Sequence, residues 1–588
     1  MKADVRGRNG LAAVGLRAEN ALTATALLAI GVLPVLELFL RAFFDTGIPG
    51  TSGYVQHLTL WIGFLGAMVA ARERRHLSLS TEMLRLPPGY RRAGSVFASA
   101  VSVAVASGLF WASLQFVRSE VDSPIRIGGW LPLWGAETIL PVAFAVVALR
   151  TAMQAGGVKE RALASLGVPA AALIGFLSGP FASQLIWPAM AGIAVAAFLG
   201  APIFVILGGT ALLLFFSGGI PVAAIPVETY RIVVSPLIPT IPLFTLTGYI
   251  LAEGGASRRL VRLFRALFGW LPGGIAVVAT LVCAFFTTFT GASGVGILAL
   301  GGLLLPALLA NGFRPRFSIG LLAATGSIGL LFPPSLAVIL YGVVAHVPIT
   351  DLFKAGFVPG ILMVSIVSMF GIREGLKART ERPRFDRREA AAALWEARWE
   401  VLLPFVVLFG IFGGFTTLIE AAALSAVYAL TVETLVHRDL HPTRDVPGIF
   451  LKCGTVVGGV FMILGVAMGL TNFLVDAEVP MRAAQWAETH IGSRILFLIA
   501  LNIFLLMVGC LLDIFSAIVV AVPLILPISQ VFGIHPLHLG MIFLVNLELG
   551  YLTPPVGMNL LLASYRFDTP LLSVYNSALP FLLLLLLV

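Results

Sequence analysis

GSIGLLFPPSLAV, residues 326–338, and ELGYLTPPVGMNL, residues 548–560, are copies of one pattern set 221 positions apart without a gap. Each puts a double proline and a glycine inside a long apolar segment. Proline has no N–H to donate and displaces the carbonyl four residues before it, so each copy marks a membrane helix broken in mid-span. The same shift lays Gly248 on Gly469, Pro306 on Pro527, Gly312 on Gly533, Pro315 on Pro536, Gly329 on Gly550 and Pro359 on Pro580. Prolines can kink membrane helices for packing alone, but apolar segments interrupted at matching places in two halves point to a transporter's binding site.

Composition agrees with that class. The chain has 588 residues, 59% hydrophobic and 11% charged, with mean hydropathy +0.99, as expected of a polytopic helical membrane protein. The first apolar run, 21–44, has the length of a retained span rather than a signal core. Cys283, Cys453 and Cys510 lie in apolar segments without ligand-like spacing, so neither disulfides nor a zinc site is indicated. The net charge of +9 does not indicate nucleic acid, because the basic residues lie between apolar spans and report topology.

Apolar runs predict spans near 21–44, 54–71, 93–117, 132–155 and 161–179, ahead of the duplicated region. The first repeat adds spans near 183–199, 202–217, 236–252, 318–345 and 352–372, with an apolar hairpin at 274–310 turning at Thr290 to Ser293. The second adds 400–418, 419–436, 449–474, 539–565 and 571–588, with a hairpin at 494–530 turning between Gly509 and Asp513. Each hairpin arm is expected to run about 15 residues, roughly 22 Å of helix, short for a crossing, so both hairpins read as re-entrant. The expected fold is therefore all-α, with about 15 transmembrane helices plus two re-entrant hairpins. Its divisions are a four-helix piece at 1–155, a connecting helix at 156–182 and a duplicated domain at 183–588, with repeats 183–372 and 400–588.

The charges set an orientation. With a cytoplasmic N-terminus and non-crossing hairpins, only Arg41, Arg118, Arg126, Arg231, Lys354, Arg482 and Arg494 of the 38 Lys and Arg fall outside, which fits the positive-inside rule. An odd number of crossings then separates the repeats, so they are inverted and the C-terminus lies outside. Hairpin tips entering from opposite faces meet the broken helices near the midplane, where irregular backbone is tolerated only inside protein or against a cavity.

Such a site suits a small hard cation held by carbonyls, hydroxyls and one carboxylate. The carbonyls of Gly329, Leu330, Gly550 and Tyr551 are expected to be free. Thr290, Ser293, Ser327, Ser335, Thr553 and Asn559 offer further oxygens, and Asp513 a charge. An ionisable group in an apolar hairpin is a functional candidate, although Asp513 also suits a helix cap. Glu420 reads equally as a helix-terminal carboxylate, and Glu548, aligned with Ser327, as a site or packing residue.

At these residues the chain resembles a known family. IPLFTLTGYIL (241–251), TGASGVG (290–296), GGFTTLIEAAALSAVYAL (413–430) and PLILPISQVFGIHPLHLG (523–540), with the two double-proline segments, are similar to the large membrane subunit of tripartite ATP-independent periplasmic (TRAP) transporters. The first 155 residues, with LTLWIGFLGAMVAARERRHLSLS at 58–80, resemble the small subunit, here fused.

The resemblance implies an inverted-repeat elevator of the ion-transporter superfamily type in a bacterial inner membrane, not an enzyme. It would take up an organic acid, such as a C4-dicarboxylate or sialic acid, with sodium. A periplasmic substrate-binding protein would deliver the acid, and the permease would be a monomer or weak dimer in the lipid bilayer. One sodium site would involve Thr290, Gly291, Ser293, Gly326, Ser327, Gly329 and Pro333. The second would involve Gly509, Asp513, Gly550, Thr553, Pro554 and Gly557. Ser335 and Asn559 are substrate candidates, and Arg118, Arg126 and Arg482 lie in loops that would dock the binding protein. Rival readings are a stand-alone carboxylate carrier, which would not need the four-span front piece, and a channel, which leaves the duplicated breaks unexplained. A primary pump is disfavoured because no lysine sits in a phosphate loop.

The orientation has a direct check in a background with the three native cysteines replaced. A cysteine introduced near 485 reacts with an impermeant thiol reagent from outside, and one near 380 only from inside. The opposite labelling pattern overturns the orientation, the faces from which the hairpins enter and the docking face together.

Overall fold

The structure is a computed structural model and describes residues 10–74, 87–176, 180–291, 294, 296–378 and 384–588. Among these the chain is mainly helical, and the only sheet is a two-stranded antiparallel ribbon that pairs Arg126–Ile127 with Leu131–Pro132. Nine helices among the described residues are long and apolar enough to cross a membrane, and seven further apolar helices are shorter. Several expected spans are short because glycine and proline divide them. The expected connecting helix at 161–179 is split into Val158–Ser165 and Gly167–Phe176. At that division Gly167 lies so close to helix Pro88–Glu120 that a Cβ would stand 2.3 Å from the Ala100 carbonyl.

The second hairpin departs from expectation. Its arms, Arg494–Leu511 and Ile514–Val531, have 18 residues each rather than about 15. Ser493 caps the first arm by accepting from the Leu496 N–H at 3.2 Å, so the helix begins at the polar end of the apolar run. Arm length alone therefore gives no ground for re-entrance here.

Two compact units contain the chain: Met1–Pro242 with Phe450–Val479, and Leu243–Ile449 with Pro480–Val588. In the first, Glu19 ties three helices together. Arg150 binds it bidentately at 2.7 and 2.9 Å, and Arg72 donates to it at 3.3 Å. Helices Thr51–Glu73 and Val446–Asp476 cross backbone to backbone within this unit: a Cβ on Gly66 would stand 1.9 Å from the Gly454 carbonyl, and one on Gly458 2.1 Å from the Ala67 nitrogen. His57 and Tyr230 add a hydrogen bond of 2.8 Å between widely separated segments.

The second unit holds both hairpins and both broken helices. Its buried ionic centre is Arg259, on the amphipathic helix Ala256–Phe268. Arg259, one of the basic residues that the charge distribution places on the cytoplasmic side, has a buried side chain paired with Glu400 at 2.5 Å, Glu433 at 2.6 Å and Asp439. Burial works against the Asp439 carboxylate, but the adjoining guanidinium prevails and holds its pKa below the ordinary value. Glu433 also accepts from the Gly255 N–H at 3.0 Å, fixing the start of the helix that the arginine occupies.

Removing one partner from a buried ion cluster leaves the others uncompensated. Arg259→Met is expected to lower stability by about 3–5 kcal/mol, read as a loss of folded protein in a detergent thermal-unfolding assay. Unchanged melting would show the cluster to be dispensable.

Candidate functional site

The two double-proline segments interrupt their helices as the sequence predicts. Helix Pro315–Thr325 stops before residues 326–335, and the chain resumes at Leu336–Ala345; helix Pro536–Gly550 stops before 551–557 and resumes at Met558–Arg566. Both breaks contain a cis Pro-Pro bond, Pro333-Pro334 and Pro554-Pro555.

Each break lies against a hairpin, and the contacts obey the same 221-residue shift. In the first repeat, Thr287 Oγ1 donates to the Gly326 carbonyl at 3.0 Å and Thr288 Oγ1 to the Gly329 carbonyl at 3.2 Å. A Cβ on Gly329 would lie 2.8 Å from the Thr288 nitrogen. In the second, Thr288 and Gly329 become Gly509 and Gly550, and a Cβ on Gly550 would lie 2.6 Å from the backbone of Gly509. The Gly557 N–H also donates to the Cys510 carbonyl at 3.2 Å, and the Tyr551 hydroxyl accepts from the Ile514 N–H at 2.7 Å. Glycine is needed at the crossings because backbone meets backbone.

Two of the four carbonyls expected to be free are not. Gly329 accepts from the Phe332 N–H at 3.1 Å as well as from Thr288, and Gly550 accepts from the Thr553 N–H at 3.0 Å. Tight turns and hairpin hydroxyls recover what proline releases. A carbonyl keeps a second lone pair, so Gly550 can still face a cation, whereas both acceptor sites of Gly329 are engaged.

The predicted residues divide accordingly. Thr290 ends the first hairpin helix, and Gly291 caps it in the left-handed region at φ 61°, with its Cβ position 2.4 Å from Leu336. Ser293 lies outside the described residues. Asp513 caps helix Ile514–Val531, accepting from the Phe515 and Ser516 N–H groups at 3.1 and 3.2 Å and from the Ser516 hydroxyl. Thr553 Oγ1 donates to the Leu549 carbonyl at 3.0 Å, and Pro554 is exposed beside it. Asn559, from the second repeat, reaches into the first break: its Nδ2 donates to the Ala323 carbonyl and to Ser327 Oγ, both at 3.0 Å. Arg118 and Arg126 are exposed in the first unit and Arg482 in the second.

Three side chains around the breaks keep buried polar atoms without a hydrogen-bond partner among the described residues: Ser335 Oγ, Asn559 Oδ1 and both oxygens of Glu548. Buried polar atoms ordinarily find partners, so these mark where a ligand or ion would complete the bonding. Glu420 instead forms a capping box with Thr417, its carboxylate accepting from the Thr417 N–H at 2.7 Å, and the helix-terminal reading of that residue holds. Asn502 and Asn546, joined at 2.6 Å, are a polar pair that sequence reasoning missed. Asparagine at i and its partner 44 positions on carries no local signal.

Comparison with known proteins places this arrangement. The family model described as "Tripartite ATP-independent periplasmic transporter, DctM component" matches residues 190–588. The chain belongs to the TRAP transporter permeases. The DctQ component model matches residues 30–158, so this permease carries both membrane components in one polypeptide. The isethionate TRAP transporter permease DctMQ of Oleidesulfovibrio alaskensis is 31% identical over 552 residues, covering 91% of this chain and 86% of its own. The C4-dicarboxylate large permease DctM of Pseudomonas aeruginosa is 34% identical, covering 59% and 81%, and the sialic acid large permease SiaM of Vibrio cholerae is 30% identical, covering 58% and 80%. This TRAP permease is thus a multi-pass inner-membrane transporter, not an enzyme, and takes up a solute with a periplasmic binding protein.

The crossings are directly testable. Gly329→Ala and Gly550→Ala push a methyl group into backbone and are expected to cost about 1–3 kcal/mol of stability, whereas Gly492→Ala, with open space around it, is tolerated. Equal thermal unfolding of all three variants would contradict the close backbone contact.

Proposed function

We propose that this TRAP permease performs sodium-coupled uptake of a small organic acid by an elevator movement. The observation that carries the reading is the duplicated crossing of hairpin and break, Thr288 on Gly329 and Gly509 on Gly550, with the unfilled acceptor of Asn559 beside it. One cation site is assigned to Thr290, Gly291 and Ser327 with the Gly326 carbonyl, which accepts from Thr287 and keeps a second lone pair. The other uses Asp513 with Gly550 and Thr553. Asp513 both caps a helix and supplies a charge, since a carboxylate has about four lone-pair sites and three donors reach it.

Re-entrance is supported by the breaks rather than by arm length. The second hairpin's turn is bonded to residues that follow helix Pro536–Gly550, 15 residues or about 22 Å long. A turn held at that depth stops inside the bilayer. The elevator reading is supported by the residence of both hairpins and both breaks in one compact unit, while the small-subunit-like helices belong to the other.

The substrate is an organic anion, and the relatives named for isethionate, C4-dicarboxylate and sialic acid share an acid group. Asn559 and Ser335 are the proposed contacts. One observation favours a proton as the coupling ion instead: Glu548 is a buried carboxyl with neither oxygen bonded among the described residues.

Sodium coupling predicts that uptake into proteoliposomes, with the binding protein outside, requires external sodium and rises cooperatively with it. Equal uptake under a proton gradient without sodium would reject sodium and leave Glu548 or Asp513 as the proton carrier. Asp513→Asn keeps a capping side chain, whereas Asp513→Ala loses a cap worth about 1 kcal/mol. Both are expected to abolish or strongly reduce uptake, and Asp513→Asn to melt like the parent. Normal uptake by Asp513→Asn across a sodium titration would leave Asp513 a cap only.

A further inference from the structure

A groove of about 380 Å³ opens on the second unit between helix Ala256–Phe268 and the segment that begins helix Arg387–Glu396. Its walls carry Arg258, Arg262, Arg265 and Arg384, with Trp270 and Phe385. Arg258, Arg262 and Arg265 follow one another at i, i+4 and i+7 and so share a helix face, while Ala256, Arg259, Leu260 and Leu263 on the same helix are buried.

The acidic groups at the groove offset this face only in part: Arg258, Arg262, Arg265 and Arg384 stand against Glu389, Glu396 and Asp386, and the face stays net cationic. Glu389 and Glu396 are both spent on Arg262, with Glu389 bidentate at 2.8 and 3.1 Å. Asp386 caps the following helix, accepting from the Arg388 N–H at 2.8 Å. Arg258, Arg265 and Arg384 have no carboxylate within salt-bridge distance among the described residues. Three guanidiniums that line one groove without a carboxylate partner among the described residues form a recognition surface for an oxyanion, and a phosphate suits their planar donor geometry.

The surroundings select the source of that phosphate. Trp270 and Phe385, 47% and 48% exposed, flank the cations with apolar rings, and Val261 and Ala266 line the floor. Trp270 stands four residues before the apolar helix Gly274–Thr290, at the level where tryptophan anchors a membrane interface. Basic residues with aromatic neighbours at that level bind anionic lipid headgroups.

We infer that this groove is a binding site for the headgroup of an anionic phospholipid, whose phosphate sits among Arg258, Arg265 and Arg384 while its glycerol and upper acyl carbons lie against Trp270 and Phe385. The lipid pins the amphipathic helix that leads into the first hairpin.

Native mass spectrometry of the full chain in mixed micelles tests this with phosphatidylglycerol and phosphatidylcholine as probes. The parent protein retains phosphatidylglycerol in preference, by roughly fivefold for each of the unpaired arginines. Arg258→Ala, Arg265→Ala and Arg384→Ala together remove the preference, and the same positions changed to Lys keep most of it. No preference in the parent, an undiminished preference in the triple alanine variant, or displacement of the lipid by millimolar inorganic phosphate overturns the assignment. If the alanine variant does not assemble, the salt dependence of the parent decides: the preference must fall as ionic strength rises, and a salt-independent one rejects the site.

Discussion

Interrupting a helix inside a bilayer releases backbone groups that lipid cannot bond, and much of the second unit follows from returning them to partners. Thr287 and Thr288 receive the carbonyls of Gly326 and Gly329; Cys510 and Tyr551 hold the second break to the second hairpin. These contacts require the hairpin and the break to approach within backbone distance, which leaves no space for a side chain at Gly329 and Gly550. The hairpins are thus partners of the breaks before they are binding elements. Acceptors on Asn559, Ser335 and Glu548 are left over from this mutual satisfaction among the described residues.

A different economy governs the charges. Arg259 and Glu19 each sit at the centre of a buried cluster, one in each unit, and buried charges are tolerated only when paired and hydrogen-bonded. Arginine suits both places because its fork can serve several carboxylates at fixed angles. The arginines that neighbour Arg259 on the same helix turn the other way, so one short helix has a neutralised inner face and a cationic outer one.

What could be read from the chain alone followed from local chemistry repeated at long range. The breaks at 333 and 554, the hairpin turns and the fused two-part organisation all leave marks in glycine, proline and apolar length. The capping of Asp513 and the capping box of Glu420 were legible as possibilities because they depend on residues three positions away. The carbonyls of Gly329 and Gly550 were misjudged: a proline-freed oxygen looks orphaned in sequence, and its new donors come from turns and from a helix some 40 residues earlier. The burial of Arg259 is hidden for a related reason, since a run of arginines does not reveal that one of them faces three acids 141 to 180 residues away. Asn559 was found as a polar residue near a break, but its reach across to Ser327 depends on how the repeats fold onto each other.

The crossing of helix Thr51–Glu73 with Val446–Asp476 has a bearing on heredity. Gly66 and Gly458 meet the facing backbone there without room for a methyl group, and one side belongs to the DctQ-like part while the other belongs to the DctM-like part. A small subunit borrowed from another transporter would therefore have to present a glycine at that depth, whatever its loops resemble. Joining the two parts in one chain means that the two sides of this crossing are inherited together.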